Sequence, residues 1–163
     1  MTHLSLSVRE STHRDVLGHF ATGVCVVTAA GPEGPVGFTC QSFVSLSLDP
    51  PLISFAPART ARTWPLIRAS AAAFCVNVLA EGQEHVGSAF ARSGGDRFEG
   101  VRWSPGPGGA PLLAGACAWI TCELVQEYDG GDHTIVIGRV TALDVEPSRA
   151  PLIFHRGRYR ALA

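Results

Sequence analysis

The stretch GFTCQSFVSLSLDPPLISFA, residues 37–56, decides the fold. From Val36 to Leu48 the even positions Phe38, Cys40, Val44, Leu46 and Leu48 are apolar, and the odd positions Thr39, Gln41, Ser45 and Ser47 are polar. Successive side chains of a strand point to opposite sides of the pleat, so this period of two predicts a strand with one face on a core and one polar face. Asp49-Pro50-Pro51 ends the run, because consecutive prolines donate no ladder hydrogen bonds, and LISFA (52–56) resumes as a strand.

The same pattern extends in both directions. Upstream, VCVVTAA (24–30) and the turn GPEGP (31–35) lead into the run. Before them, Ser7 to Glu10 forms a capping box, and Thr12, Val16 and Phe20 recur at four-residue steps, predicting a helix that ends near Gly23. Downstream, Thr63 can cap a short helix that carries Pro65 in its first turn. AAFCVNVLA (72–80) is apolar enough for a buried strand, and GQEHVGSAFAR (82–92) reads as a helix. Ser93 to Ala114 is rich in Gly and Pro and reads as a mobile loop excursion. WITCELVQEY (119–128) and HTIVIGRVTALDV (133–145) flank a hairpin loop at Asp129-Gly130-Gly131-Asp132, and PLIFH (151–155) precedes a basic tail. About seven strands with two or three short helices predict an antiparallel barrel or sandwich with peripheral helices, not a doubly wound parallel sheet.

Composition narrows the chemistry. The 163 residues carry 13 cationic and 14 anionic side chains, a net charge of −1, and every cation is arginine. Lysine Schiff bases and the P-loop lysine are thereby excluded. Balanced charge argues against binding nucleic acid through its phosphates. The length suits one domain, residues 1–163. Cys25, Cys40, Cys75, Cys117 and Cys122 are odd in number, contain no CxxC pair and mostly sit in apolar runs, as expected of buried free thiols in a reducing compartment. The polar N-terminus lacks the apolar stretch of a signal peptide, and no apolar run approaches the roughly 18 residues of a membrane span. A cytoplasmic location with no membrane association is expected. The six histidines show no HxH, HxxxH or HExxH spacing, so no metal site is expected.

Three features are candidates for function. Thr39, Gln41, Ser42 and Ser45 offer hydroxyls and an amide suited to a planar heterocycle, or form a solvent-facing sheet surface. ARTART (58–63), before a helix start, suits a phosphate, or is a surface turn. In GGDH (130–133), His133 stands at the mouth of a hairpin, with His155, Arg156 and Tyr159 on the closing segment, and can donate to a carbonyl or phosphate, or be an ordinary hairpin histidine. Asn77, the single asparagine, lies in an apolar strand and either pins a neighbouring loop or serves a ligand pocket.

Together the blocks FATGVCVVTA (20–29), GFTCQSFVSLSLDPP (37–51), ARTARTWPLI (58–67), FCVNVL (74–79), GAPLLAGACAWITCEL (109–124) and GGDHTIVIGRV (130–140) closely resemble the flavin reductase family, over about residues 8–162. The resemblance implies a mainly β protein, a split β-barrel of the FMN-binding type with a few peripheral helices, usually a homodimer. It implies reduction of FMN or FAD by NADH or NADPH, with reduced flavin passed to a partner monooxygenase. It also implies that Thr39, Cys40, Gln41 and Ser42 line the flavin ring; Ser45, on the same polar face, and Asn77, if it serves the pocket, are counted with them as cofactor-binding candidates. Ala56 would follow the ribityl chain, and Thr60, Arg62 and Thr63 would hold the phosphate, with Arg59 the next cation. His133 and Tyr159 would lie on the nicotinamide side. Gln41 stands where an asparagine is common, and Ala61 where a serine is. Arg156, Arg158 and Arg160 either meet a nucleotide phosphate or form a solvated tail. The alternative is a flavin-binding protein without turnover, and a haem-binding barrel is disfavoured because no histidine has a ligand context.

Overall fold

The computed structural model describes residues 10–70 and 73–162. In chain order they form α1 (Glu10–Leu17), β1 (Thr22–Gly23), β2 (Cys25–Gly31), β3 (Gly34–Cys40), β4 (Val44–Leu48), β5 (Pro51–Phe55), α2 (Thr63–Ser70), β6 (Phe74–Val78), α3 (Glu84–Ala91), β7 (Trp103–Pro105), β8 (Pro111–Leu113), β9 (Ala118–Gly130), β10 (His133–Val145), β11 (Ile153–His155) and β12 (Arg158–Arg160). Seven strands make one antiparallel sheet in the order β3-β2-β6-β9-β10-β5-β4. Its two edge strands, β3 and β4, are consecutive in the chain, so the sheet curls until its ends approach.

The inward side chains show the closure. Val27 of β2, Phe38 of β3, Phe55 of β5, Phe74 of β6 and Val136 of β10 all pack into one buried cluster. Phe38 and Phe55, from opposite ends of the sheet, have ring centroids 6.2 Å apart. Trp64 and Ile67 of α2 plug the same core, with Trp64 edge-on to Phe55 at 5.3 Å and to Phe74 at 5.8 Å. The indole N–H of Trp64 donates to Glu127 Oε1 at 2.6 Å, so its polar tip is satisfied at the rim.

A second core lies outside the barrel wall, where Val24 and Val26 meet Leu79, Val86, Phe90, Leu113 and Leu152. Strand β2 is thus buried on both faces, which is why VCVV (24–27) is continuously apolar instead of alternating. The five cysteines are free and buried. Among the described residues no helix is long and apolar enough to cross a membrane.

Several expectations are corrected. Helix α1 ends at Leu17, not near Gly23, because the chain turns at Gly18 and then pairs β1 with β11. Ser7 of the capping box lies outside the described residues. The run from Val36 to Leu48 is two strands, broken at residues 41–43 where the chain crosses from one end of the sheet to the other. A register shift between Ser45 and Ser47 breaks the alternation, pairing Val44 with Ser54 and Leu48 with Pro51 on opposite faces, and Val44 and Leu46 are each 50% exposed and Leu48 89% exposed in the single chain. The excursion from Ser93 to Ala114 contains the β7-β8 hairpin and buries Ala110 and Leu113. The basic tail folds back as β12, through a turn in which Arg156 and Gly157 both have positive φ.

Candidate active site

The break in the long alternating run creates the site. After Cys40 the chain leaves the barrel wall, and Ser42 ties this crossing to the end of β5. Its hydroxyl accepts from the Ala56 N–H at 2.8 Å and lies 3.2 Å from Cys40 Sγ. Thr39 donates to the carbonyl of Gly87 at 2.6 Å, anchoring β3 to α3. Gln41 accepts from the Thr22 hydroxyl at 3.4 Å.

On the facing side, the segment after β5 is stitched to the β9-β10 hairpin. Ala58 bridges His133, the Thr134 N–H donates to Pro57 at 3.0 Å, and the Arg59 N–H donates to Asp132 at 2.9 Å. Arg59 Nε donates to the Gly131 carbonyl at 2.8 Å, and its Nη2 to Asp129 Oδ1 at 2.6 Å. That guanidinium beside Asp129 holds its carboxyl below the ordinary carboxylate range. The turn at the tip is only two residues, Gly131 and Asp132, because β9 runs on to Gly130. Asp132 Oδ1 lies 2.6 Å from His133 Nδ1, a contact that lowers the Asp132 pKa. A carboxylate accepts only, so the Nδ1 proton belongs to the imidazole and Nε2 is left for a ligand.

These elements enclose a cleft of about 850 Å³. Thr39, Cys40, Gln41, Ser42, Ala56, Thr60, Arg62, Thr63 and His133 all line it. Three local sequence features distant along the chain therefore share one cavity. Phe90, Arg92 and Arg97, from α3 and the segment after it, also line the cleft and were missed in the sequence. Their signal is faint, two arginines five residues apart around Gly94-Gly95, Arg92 ending what reads as a helix and Arg97 in what reads as a loop. Arg62, Arg92 and Arg97 bring three positive charges to the wall, and among the described residues no Asp or Glu lines it. Such a wall favours an anion.

The structure places other candidates elsewhere. Asn77 is fully buried in the sheet, bonded to Val26, Thr28 and Leu113, and is not on the cleft. It pins strand β8 of the excursion. Tyr159 packs against Phe154 at 5.4 Å in the second core. Ser45, on the exposed strand β4, does not line the cleft either. Arg59 is engaged by the hairpin and is not a cleft cation. Cys40 is no nucleophile, since burial pushes its thiol pKa up and disfavours the thiolate.

A curled antiparallel sheet with an electropositive cleft beside its edge strand defines a β-barrel protein whose cleft suits an anionic small molecule. Residues 17–163 match the model of the flavin reductase like domain. The chain is 43% identical over 161 residues, 98% of its length and 86% of the relative's, to the reductase subunit HsaB of a flavin-dependent monooxygenase from Mycobacterium tuberculosis. It is 44% identical over 151 residues, 92% of its length and 88% of the relative's, to a flavin reductase from Pseudomonas putida. Among solved structures, the NADH:FAD oxidoreductase SgcE6 of Streptomyces globisporus, in complex with NAD and FAD fragments, superposes with a TM-score of 0.91 at 39% identity, covering 98% of each chain. The chain belongs to the flavin reductase family, and its fold is the family's split barrel.

Proposed function

We propose that the protein is an NAD(P)H:flavin oxidoreductase that reduces FMN or FAD and releases it to a separate flavin-dependent monooxygenase. The observation that carries this reading is the joining of a polar crossing segment, three arginines and one histidine in a single cleft large enough for a flavin. The donor set fits such a ligand. Hydroxyl, amide and backbone groups of Thr39, Cys40, Gln41 and Ser42 suit the carbonyls and nitrogens of a planar ring. Ala56 lies beside them, and Thr60, Arg62 and Thr63 offer a phosphate two hydroxyls and a guanidinium.

A bound flavin supplies the acceptor for a hydride from the nicotinamide, and the protein supplies position and electrostatics. The stitched segments hold the cleft wall in one geometry, which favours ring stacking over diffusion of two free molecules. Gln41 and Ser42, whose side chains can donate, would stabilise the negative charge of a reduced ring held beside them. The hydride step needs no general acid, so His133 acts by positioning the nicotinamide nucleotide.

The monooxygenase partner is supported by the relative from M. tuberculosis, itself a reductase subunit. A homodimer is supported by apolar side chains that a single chain leaves in water, among them Leu48, Phe20 at 78% exposure and Leu143 at 72%. Five unpaired buried thiols support the reducing cytoplasm as its location.

Steady-state oxidation of NADH and NADPH with added FMN or FAD tests the activity. Consumption that depends on added flavin is expected. A yellow complex with no consumption of either nucleotide overturns the enzyme reading in favour of a flavin-binding protein.

A further inference from the structure

Arg97 sits half-buried on the cleft wall and donates from one nitrogen to two acceptors. Its Nη1 lies 2.7 Å from the Gly37 carbonyl and 2.7 Å from Thr63 Oγ1. Among the described residues no carboxylate pairs with it, nor with Arg62 or Arg92 on the same wall. Withdrawing a guanidinium from water without a counter-charge is unfavourable, and an anion in the cleft relieves that cost.

The Thr63 hydroxyl has one proton and two lone pairs. Arg97 occupies a lone pair, and its positive charge turns the proton away from the guanidinium. Among the described residues no protein group accepts that proton, although Thr63 is buried and lines the cleft. A half-buried cation and an unused directed donor at one point call for an acceptor that is itself charged, and a phosphate oxygen is such an acceptor.

We propose that Arg97 is a positioning residue for the phosphate of the bound flavin. By donating to Thr63 Oγ1 it fixes the hydroxyl as a donor aimed at the phosphate, and its bond to Gly37 holds the segment after α3 against the site. This rests on the flavin reading above and adds a residue from a segment that reads as a loop in the sequence. The inference separates the phosphate from the ring. Arg97 and Thr63 should act on flavins that carry a phosphate and be indifferent to the ring alone.

The test measures the affinity of the full chain for FMN and for riboflavin, which lacks the phosphate, by quenching of flavin fluorescence. Arg97→Met is expected to weaken FMN about tenfold or more, the scale of a lost charge-assisted hydrogen bond, and to leave riboflavin within about twofold. Thr63→Val should do the same, and Thr63→Ser should keep FMN affinity. Because the two residues act as one unit, Arg97→Met should cost less when added to Thr63→Val than alone. Should Arg97→Met fail to fold, Thr63→Val decides the matter, since it leaves the Arg97 to Gly37 bond in place. Equal losses for FMN and riboflavin, no loss for FMN, or full additivity in the double variant each overturn the role of Arg97 and leave the flavin reading standing. A wild-type chain that binds neither flavin overturns both.

Discussion

The side chain of Asn77 accepts a hydrogen bond from the Leu113 N–H at 2.8 Å, fastening strand β8 onto the middle of the barrel sheet. The amide nitrogen of Asn77 donates to Val26 at 3.0 Å and to the Thr28 hydroxyl at 2.9 Å, and Thr28 in turn donates to the Pro111 carbonyl at 2.6 Å. This polar knot, closed inside an apolar wall, holds the β8 end of the excursion after α3. Asn77→Leu strands the Leu113 N–H in a dry interior, while Thr28 keeps its bond to the Pro111 carbonyl. It should cost about 2–3 kcal/mol of stability, read as a lower urea midpoint with an unchanged slope. FMN affinity of the folded variant should stay within about twofold, since Asn77 does not line the cleft. A loss below about 0.5 kcal/mol would show that water repairs the knot.

Gly138 sets a second limit, inside the barrel. A Cβ there would lie 2.8 Å from Phe74 Cζ, 3.1 Å from Ile53 Cδ1 and 3.2 Å from Cys122 Cβ. The Phe74 ring cannot yield, because it is packed edge-on against both Phe55 and Trp64. Gly138→Ala should therefore destabilise by about 1–3 kcal/mol, the usual cost of an overfilled core, instead of stabilising as Gly to Ala does in open structure. Thermal unfolding of the variant checks the sign.

The barrel was legible in the sequence because its central strands carry clear apolar patterns, and three of the segments that line the cleft were legible because each keeps its chemistry within a few residues. Thr39 to Ser42, Thr60 to Thr63 and His133 all reach the cleft. What failed was long-range. Alternation in Val44, Leu46 and Leu48 suggests one apolar face, but the shift between Ser45 and Ser47 that breaks it is set by pairing with β5 and leaves no mark in the local pattern. Asn77 and Tyr159 carry chemistry suited to a ligand, and only their neighbours in space show that each is spent on packing. Arg97 has only a faint local signal, since its two acceptors lie 60 and 34 residues away in the chain.

The hairpin clamp should respond to acid. Asp129 in the folded protein titrates below the ordinary 3.8, first because of its hydrogen bond from Arg59. On acidification the unfolded chain, with the ordinary value, takes up this proton first. The pair therefore contributes to stability above pH 3.8, and the contribution falls away as pH drops through the lowered folded value. Both groups are exposed, so the effect on global stability is small and weakens with salt. NMR titration of the carboxyl carbon should give a midpoint below 3.8 in the wild type, returning upward in Arg59→Gln. An unchanged midpoint in that variant would mean the ion pair is not formed in solution.

His133 offers the sharpest separation of binding from chemistry. Its backbone is fixed by the bridge to Ala58 and its ring by the 2.6 Å contact with Asp132, so truncation to alanine removes Nε2 from the cleft without moving the hairpin. A group that only positions the nicotinamide nucleotide binds ground state and transition state alike. Its loss raises KM and spares kcat. His133→Ala should raise the KM for NADH or NADPH about tenfold, change kcat by no more than about threefold, and leave the KM for flavin in place. Asp132→Asn should shift the same parameter in the same direction by a smaller factor, because it loosens the ring without deleting it. A fall in kcat at constant KM would instead assign His133 an interaction made only as the hydride moves.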